Sequence, residues 1–195
     1  MRVEPCVLEG RYIRLEPLTL EHWPRLAEIG LDSELWRWTI APLRTLDDMR
    51  QYIETALDWQ RQGIALPFAT IDRSSGSAVG STRFAAIDCV NRRVEIGWTW
   101  VAAPWQRTVV NTEAKYLMLR HAFEELGCIR VELKTNSLNT RSRNAMVRIG
   151  AKEEGVLRNH MINEDGSLRH TVYYSIIDAE WPEVKARLEE KLQPA

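Results

Sequence analysis

The segment best equipped for chemistry runs from Val101 to Lys115, VAAPWQRTVVNTEAK, where a strand-like stretch passes through Pro104 into a helical one. A strand-to-helix turn leaves the first helical N–H groups without main-chain partners, and the helix dipole favours an anion beside them. Gln106, Arg107, Thr108 and Asn111 add donors at the same place. Two readings fit this pattern, a phosphate cradle and an ordinary turn with a polar helix start. No GxSxG, HExxH or GxGxxG signature occurs, and the run Gly76-Ser-Ala-Val-Gly80-Ser lacks the lysine of a phosphate-binding P-loop. Glu153 and Glu154 are adjacent, so in a strand their carboxylates diverge. His160 and His170 could meet across a hairpin as a metal pair, with solvated strand histidines as the simpler account. Cys6, Cys89 and Cys128 are widely separated with no CxxC, which suggests neither a disulfide framework nor a zinc site.

The elements that must position this turn are read from period. Residues 11–16, RYIRLE, suit a first strand with Ile13 and Leu15 in step, and Thr19 then offers a helix cap that Pro24 delays. Leu46, Met49, Ile53, Ala56 and Leu57 recur at helical spacing, giving an amphipathic helix over 45–62 closed by Gly63. Strands follow at 64–72, 78–88 and 92–101, the first two joined by a hairpin loop. In the third, strict alternation puts Val94, Ile96, Trp98 and Trp100 on one face and Glu95, Gly97, Thr99 and Val101 on the other. A helix over 108–126 carries Val110, Ala114, Leu117, Met118, Ala122 and Leu126, with Leu119 and Phe123 widening its apolar stripe. A strand at 129–134 comes next, then a short helix capped by Asn139 or Thr140 and ended by Gly150. Strands at 153–161 and 168–177 flank an Asp-Gly turn, and a last helix covers 178–192. Only the strand–helix–strand crossover over 92–134 demands parallel pairing. The expectation is one α+β domain over residues 1–195, a central mixed, mostly antiparallel sheet with helices on both faces.

Composition narrows the classes of function. With 195 residues, 45% hydrophobic and 27% charged, the chain can bury a real core. Its 26 Lys and Arg against 27 Asp and Glu leave a formal charge of −1, so no global electrostatic drive pulls it toward nucleic acid or an anionic membrane, and a nucleic-acid role would need a local patch. No stretch is apolar enough for a membrane helix or a secretory signal, and a cytoplasmic location is expected. The eight Trp fit either a large aromatic core or an aromatic-lined pocket.

The strand VEIGWTWV, the turn and helix QRTVVNTEAK, the segment NSLNTRSRNAMVRIGAKEEGVLRNH and the closing DGSLRHTVYYSIIDAEW resemble, in order and spacing, the GNAT acetyltransferase superfamily, specifically its RimJ/RimL-like branch. The likeness spans nearly the whole chain. It implies transfer of acetyl from acetyl-CoA to an amine, with no metal. The family's pyrophosphate loop, Q/R-x-x-G-x-G/A, falls on Gln106, Arg107, Thr108, Val109, Val110 and Asn111, continuing to Thr112, and both small positions are replaced, by Val109 and Asn111. Glu113 matches the TEA glutamate, read as a dipole-favouring helix-start residue. Asn139 and Ser142 match the NxxS element, which implies a pantetheine contact for Asn139 and a proton donor to the CoA thiolate in Ser142; a first-turn residue satisfying the helix end is the alternative for Ser142. Arg141, Arg143 and Arg148 make that helix basic, suiting the CoA phosphates, with Arg143 the chosen contact, or a solvated face. Glu95 on the central strand is the candidate general base and acceptor contact; where part of the branch has a Glu after the GxLR strand, this chain has Met161. The oxyanion falls to a main-chain N–H near Trp100 or Val101. Trp36 and Trp38 lie where the family places acceptor contacts, or pack in the core. The resemblance implies a primary-amine acceptor, on a protein N-terminus or a small molecule, and a homodimer is compatible with the likeness. A catalytically weak acyl-CoA-binding protein on the same fold is the alternative, motivated by Val109 and Asn111.

Overall fold

The computed structural model describes residues 1–193. In chain order the elements are β1 (Leu8–Glu9), β2 (Ile13–Pro17), α1 (Trp23–Gly30), α2 (Ser33–Trp36), α3 (Leu46–Arg61), β3 (Ala65–Asp72), β4 (Ala78–Asp88), β5 (Arg93–Val101), α4 (Val109–Arg120), β6 (Arg130–Asn136), α5 (Thr140–Arg148), β7 (Lys152–Ile162), β8 (Leu168–Ile177) and α6 (Trp181–Lys191). They build one eight-stranded sheet in the order β1-β2-β3-β4-β5-β6-β8-β7. Only β5 and β6 run parallel, joined by the α4 crossover. The expected α+β architecture with a mixed, mostly antiparallel sheet is the observed one.

Two cores sandwich the sheet. On one face Val94, Ile96 and Val101 pack with Val110, Ala114, Leu117 and Met118 of α4 and with Trp181, Val184 and Leu188 of α6. On the other, Leu26 of α1, Trp36 of α2 and Met49, Ile53 and Ala56 of α3 cover Ala69, Ile71, Ala78 and Trp100. The helix expected over 45–62 is α3, started by Thr45, whose hydroxyl accepts from Asp48 N while the Asp48 carboxylate accepts from Thr45 N. The helix expected over 108–126 is α4 followed by a wider π-helical turn over His121–Glu125. Two short elements lie outside the expectations, β1 and α2. Two residues and a single turn are too brief to carry a period, and α2 is held instead by Asp32, whose side chain accepts from Glu34 N.

The strict alternation expected along β5 fails at Trp98. Arg83 of β4 pairs with Gly97 and Ser81 with Trp100, so Thr82 alone opposes both Trp98 and Thr99. This is a β-bulge, with Trp98 in the left-handed region at φ 48°. One extra residue shifts the period, so Thr99 and Val101 turn to the α4 face while Glu95, Gly97, Trp98 and Trp100 share the α1–α3 face. Trp98 packs edge-on against Trp59 of α3, and Trp100 lies against Trp36. Gly80 lets the strands approach here, since a Cβ on it would lie 2.2 Å from the Trp100 carbonyl oxygen.

Candidate active site

The two parallel strands part company early. Residues 93–95 of β5 pair with 130–132 of β6, and beyond them β5 runs on to Val101 and β6 to Asn136 without pairing to each other. The facing main-chain edges therefore open as a wedge. Ala102 N donates to Val79 O at 2.9 Å, on the β4 side, and strand alternation turns the Val101 N–H the other way, toward the wedge. The Val101 carbonyl is held on that side by Gln106 Nε2 at 2.8 Å.

At the end of β5 the chain turns into α4. Thr108 caps the helix: its hydroxyl donates to Trp105 O at 2.7 Å and accepts from Val110 N at 3.3 Å. Arg107 and Thr108 are exposed, Val109 and Asn111 are half-buried, and Val110 and Thr112 point into the core. The helix start thus faces outward and is not plugged by its own side chains. The residue in the left-handed conformation is Arg107, at φ 63°, whereas Val109 and Asn111 are helical, so neither needs glycine for its backbone. Arg148 of α5 donates to Thr112 Oγ1 at 3.0 Å and brings a guanidinium beside the start of α4.

In α5, Asn139 is the N-cap, its Oδ1 accepting from Ser142 N at 3.1 Å. Ser142 is half-buried, and its hydroxyl has no hydrogen-bond partner among the described residues. Arg143 is engaged with protein groups: it donates to Tyr174 Oη at 3.1 Å, Ser137 O at 3.2 Å and Glu153 Oε2 at 3.1 Å. Those bonds tie α5 to β7 and β8. The two histidines flanking the last hairpin are engaged with protein groups, His160 edge-on to Tyr173 and His170 Nδ1 accepting from Asn159 N at 2.8 Å.

On the α1–α3 face, Glu95 is 4% exposed and its Oε2 lies 2.7 Å from Lys134 Nζ. Burial raises its carboxyl above the usual range, and the Lys134 ammonium offsets part of that rise. Gly97 makes room for it, since a Cβ there would sit 2.7 Å from Glu95 Oε1. Next to Gly97 across the strands, Arg83 is fully buried with its guanidinium 4.7 Å from the Tyr52 ring, 5.1 Å from Trp98 and 5.5 Å from Trp59. Its Nε and Nη2 have no partner among the described residues. Trp36 is buried, its indole N–H donating to Gly30 O at 2.6 Å, which makes it a floor under Tyr52 and Trp100 and not an open wall. Trp38 is half-exposed, its carbonyl accepting from Arg169 at 3.3 Å.

Glu113 has a different task from the one its sequence position suggested. It lies a turn deeper than the helix start, and its carboxylate accepts from the main-chain N–H groups of Arg11, Tyr12 and Ile13, each at 2.7 Å. It pins the β1–β2 hairpin to α4. Glu113→Gln should therefore lower stability by about 1.5–3 kcal/mol, the worth of hydrogen bonds to a charged group, while turnover per folded molecule holds. Urea melts paired with rates corrected for folded fraction check this.

The residues around the site that escaped the sequence reading include Arg83, Lys134, Thr99 and Lys115. The Lys115 ammonium nitrogen lies 2.7 Å from Thr99 Oγ1, which is 2.7 Å from Thr82 Oγ1. A usable signal existed, because Lys115 stands one turn before Leu119 and two before Phe123 on the line that widens the apolar stripe of α4.

A parallel pair that opens toward an exposed helix start makes a main-chain-lined cleft with unpaired N–H groups at its mouth, a geometry suited to an anion. The acetyltransferase (GNAT) domain matches residues 13–152. A Bacillus subtilis protein with the name "Putative ribosomal N-acetyltransferase YdaF" is 33% identical over 171 residues, covering 86% of this chain and 90% of that protein. The solved structure of a GCN5-related N-acetyltransferase from Brucella melitensis superposes with a TM-score of 0.90 at 31% identity, covering 98% of this chain and 87% of the other. Mycobacterium smegmatis RimJ, solved in complex with CoA-disulfide, shares the fold with a TM-score of 0.80 at 23% identity, covering 95% and 91% of the two chains. The chain belongs to the GNAT acetyltransferase family. It is an acetyltransferase. Among the described residues no helix is long and apolar enough to cross a membrane.

Proposed function

We propose that this chain moves acetyl from acetyl-CoA to a primary amine by direct attack in a ternary complex. The observation that carries the reading is the wedge between β5 and β6, whose free edge leads to the outward-facing start of α4. The residues present fit the carrier: the amides of Arg107, Val109 and Asn111, the Arg107 side chain and Arg148 would hold the diphosphate, and Asn139 would hold the pantetheine arm. Acetyl-CoA supplies the activated acyl group, and the chain supplies positions and protons. The Val101 N–H, turned to the free edge, takes the negative charge that develops on the acetyl oxygen. Glu95 takes the proton of the incoming amine, directly or through water, on the opposite side of β5 from α4. Ser142 gives a proton to the departing thiolate. The name of the Bacillus subtilis relative favours a protein N-terminal amine, which with a pKa of about 8 needs only modest help to lose its proton. Trp38 and the rim around Trp98 would meet that acceptor, and the reaction would take place in the cytoplasm.

A second reading, an acyl-CoA-binding protein of weak activity, draws on the side chains of Val109 and Asn111 standing where the family has small residues. Calorimetry with acetyl-CoA followed by free-thiol release over panels of peptides and small amines separates the two. Binding with amine-dependent thiol release is the expected result. Binding without release favours the second reading, and absence of binding removes both.

A further inference from the structure

Lys115 is the one lysine of α4, and it is 6% exposed. Its nitrogen makes a single hydrogen bond among the described residues, to the Thr99 hydroxyl at 2.7 Å. Behind that hydroxyl lie Thr82 of β4 at 2.7 Å and, from Thr82, the Met118 sulfur at 3.5 Å. Among the described residues no carboxylate answers the charge. Burial alone brings its amine down to about 7, with no titratable or charged group on β4, β5, β6, α4 or α5 contributing. Glu95 and Lys134 lie on the other face of the sheet, and Glu113 is committed to the β1–β2 hairpin. A buried cation without a counter-charge burdens the fold, and an apolar side chain of similar length would pack at that place without the burden.

The place is informative. Thr99 is the second residue of the bulge, on the stretch of β5 that has left β6 and two residues before Val101, whose N–H is turned to the free edge. We propose that Lys115 is a positioning residue of the transfer reaction: through the Thr99 hydroxyl it fixes the bulged strand, and its ammonium sets a positive potential behind the amides that receive the acetyl oxygen. A positive charge in a water-poor interior acts strongly on charge developing nearby and needs no reorganisation at the moment of reaction. The inference rests on the transferase reading above, and it adds a sign for pH. With Lys115 charged, below about pH 7, the field is on; as pH rises through 7 it is switched off, and turnover falls.

The test uses the full chain and reads activity and stability together. Lys115→Met should lower kcat by about 10- to 100-fold, leave the KM for acetyl-CoA within about threefold, and abolish the alkaline fall in the rate profile. The same variant should melt a few degrees higher at pH 6, about 2–4 °C for a domain of this size, because the uncompensated charge is gone. In the wild type, unfolding takes up a proton between about 7 and the ordinary lysine value of 10.5, so stability climbs with pH across that window. That climb should vanish in Lys115→Met. Thr99→Val, which cuts the link and keeps the lysine, should lower kcat with the same KM pattern, and Thr99→Ser should restore it. Wild-type kcat and an unchanged alkaline limb in Lys115→Met would overturn the inference, as would losses of activity that merely track losses of stability in both variants. Absence of amine-dependent thiol release in the wild type would instead remove the transferase reading beneath it.

Discussion

Replacing Glu95 by Gln is expected to cut kcat/KM by about 10²–10⁴ and to flatten the rising limb of its pH profile. The reason lies in what surrounds the carboxylate. It is buried on the α1–α3 face of β5 beside Gly97, and desolvation lifts its proton affinity while the Lys134 ammonium at 2.7 Å offsets part of that rise. A base must be deprotonated to act and basic enough to accept, and this environment moves it from a poor base toward a usable one. Gln keeps the shape and cannot accept a proton. The stability sign is checkable as well. A carboxyl whose folded value lies above the ordinary 4.5 favours the fold at acid pH and loses that contribution as pH rises through the raised value. The stability of the wild type relative to Glu95→Gln should therefore fall across that window. Steady-state rates from pH 5 to 9 with a saturating amine, together with urea melts over the same range, measure both. An unchanged rising limb would take Glu95 out of the chemistry and leave it as half of a buried ion pair.

The fold was legible because long, periodic elements carry it. The stripe Val110, Ala114, Leu117, Met118 marks α4 as a helix lying on a sheet, and a strand on either side of it forces the parallel pair from which the wedge opens. The strand-to-helix turn over Gln106 to Asn111 was legible for the same reason, since the end of the sheet strand and the start of the apolar stripe bracket it. The bulge was not. Trp98 is a good strand residue, and Val94, Ile96, Trp98 and Trp100 form an unbroken alternating set, so nothing local announces that one of them adopts φ 48°. That conformation is imposed from afar, with Tyr52 of α3 donating to the Trp98 carbonyl at 3.2 Å and Gly80 admitting the Trp100 carbonyl. The acceptor side suffered the same limit. Whether Trp36 lines a wall or fills a core depends on Tyr52 and Trp100, which meet it only through tertiary packing. Glu113 finds its three amide partners about a hundred positions earlier in the chain, a distance over which spacing says nothing. Lys115 could be placed on a buried line, yet its lone hydrogen bond to Thr99 exists only because the bulge turns Thr99 to that face.

Ser142→Ala is expected to lower turnover by about ten- to a thousandfold while acetyl-CoA affinity stays nearly unchanged. The geometry isolates the hydroxyl unusually well. The helix start is held by Asn139 Oδ1 accepting from the Ser142 amide, a bond that survives loss of the side-chain oxygen. The hydroxyl itself bonds nothing among the described residues, so its removal leaves no orphaned partner, and stability should shift by no more than about 0.5 kcal/mol. A fall in rate then reports chemistry and not folding. Asn139→Ala is the contrasting variant: it removes the cap, should cost about 1 kcal/mol, and should weaken acetyl-CoA binding as well as turnover. The two variants pull the alternatives apart. A hydroxyl that gives its proton to the departing thiolate acts only as the thioester breaks, so Ser142→Ala lowers kcat and kcat/KM together, whereas a hydroxyl that merely finishes the helix end behaves as a mild copy of Asn139→Ala. Calorimetry with acetyl-CoA and stopped-flow thiol release on both proteins decide between them, and wild-type turnover in Ser142→Ala would leave the thiolate to take its proton from water entering the wedge.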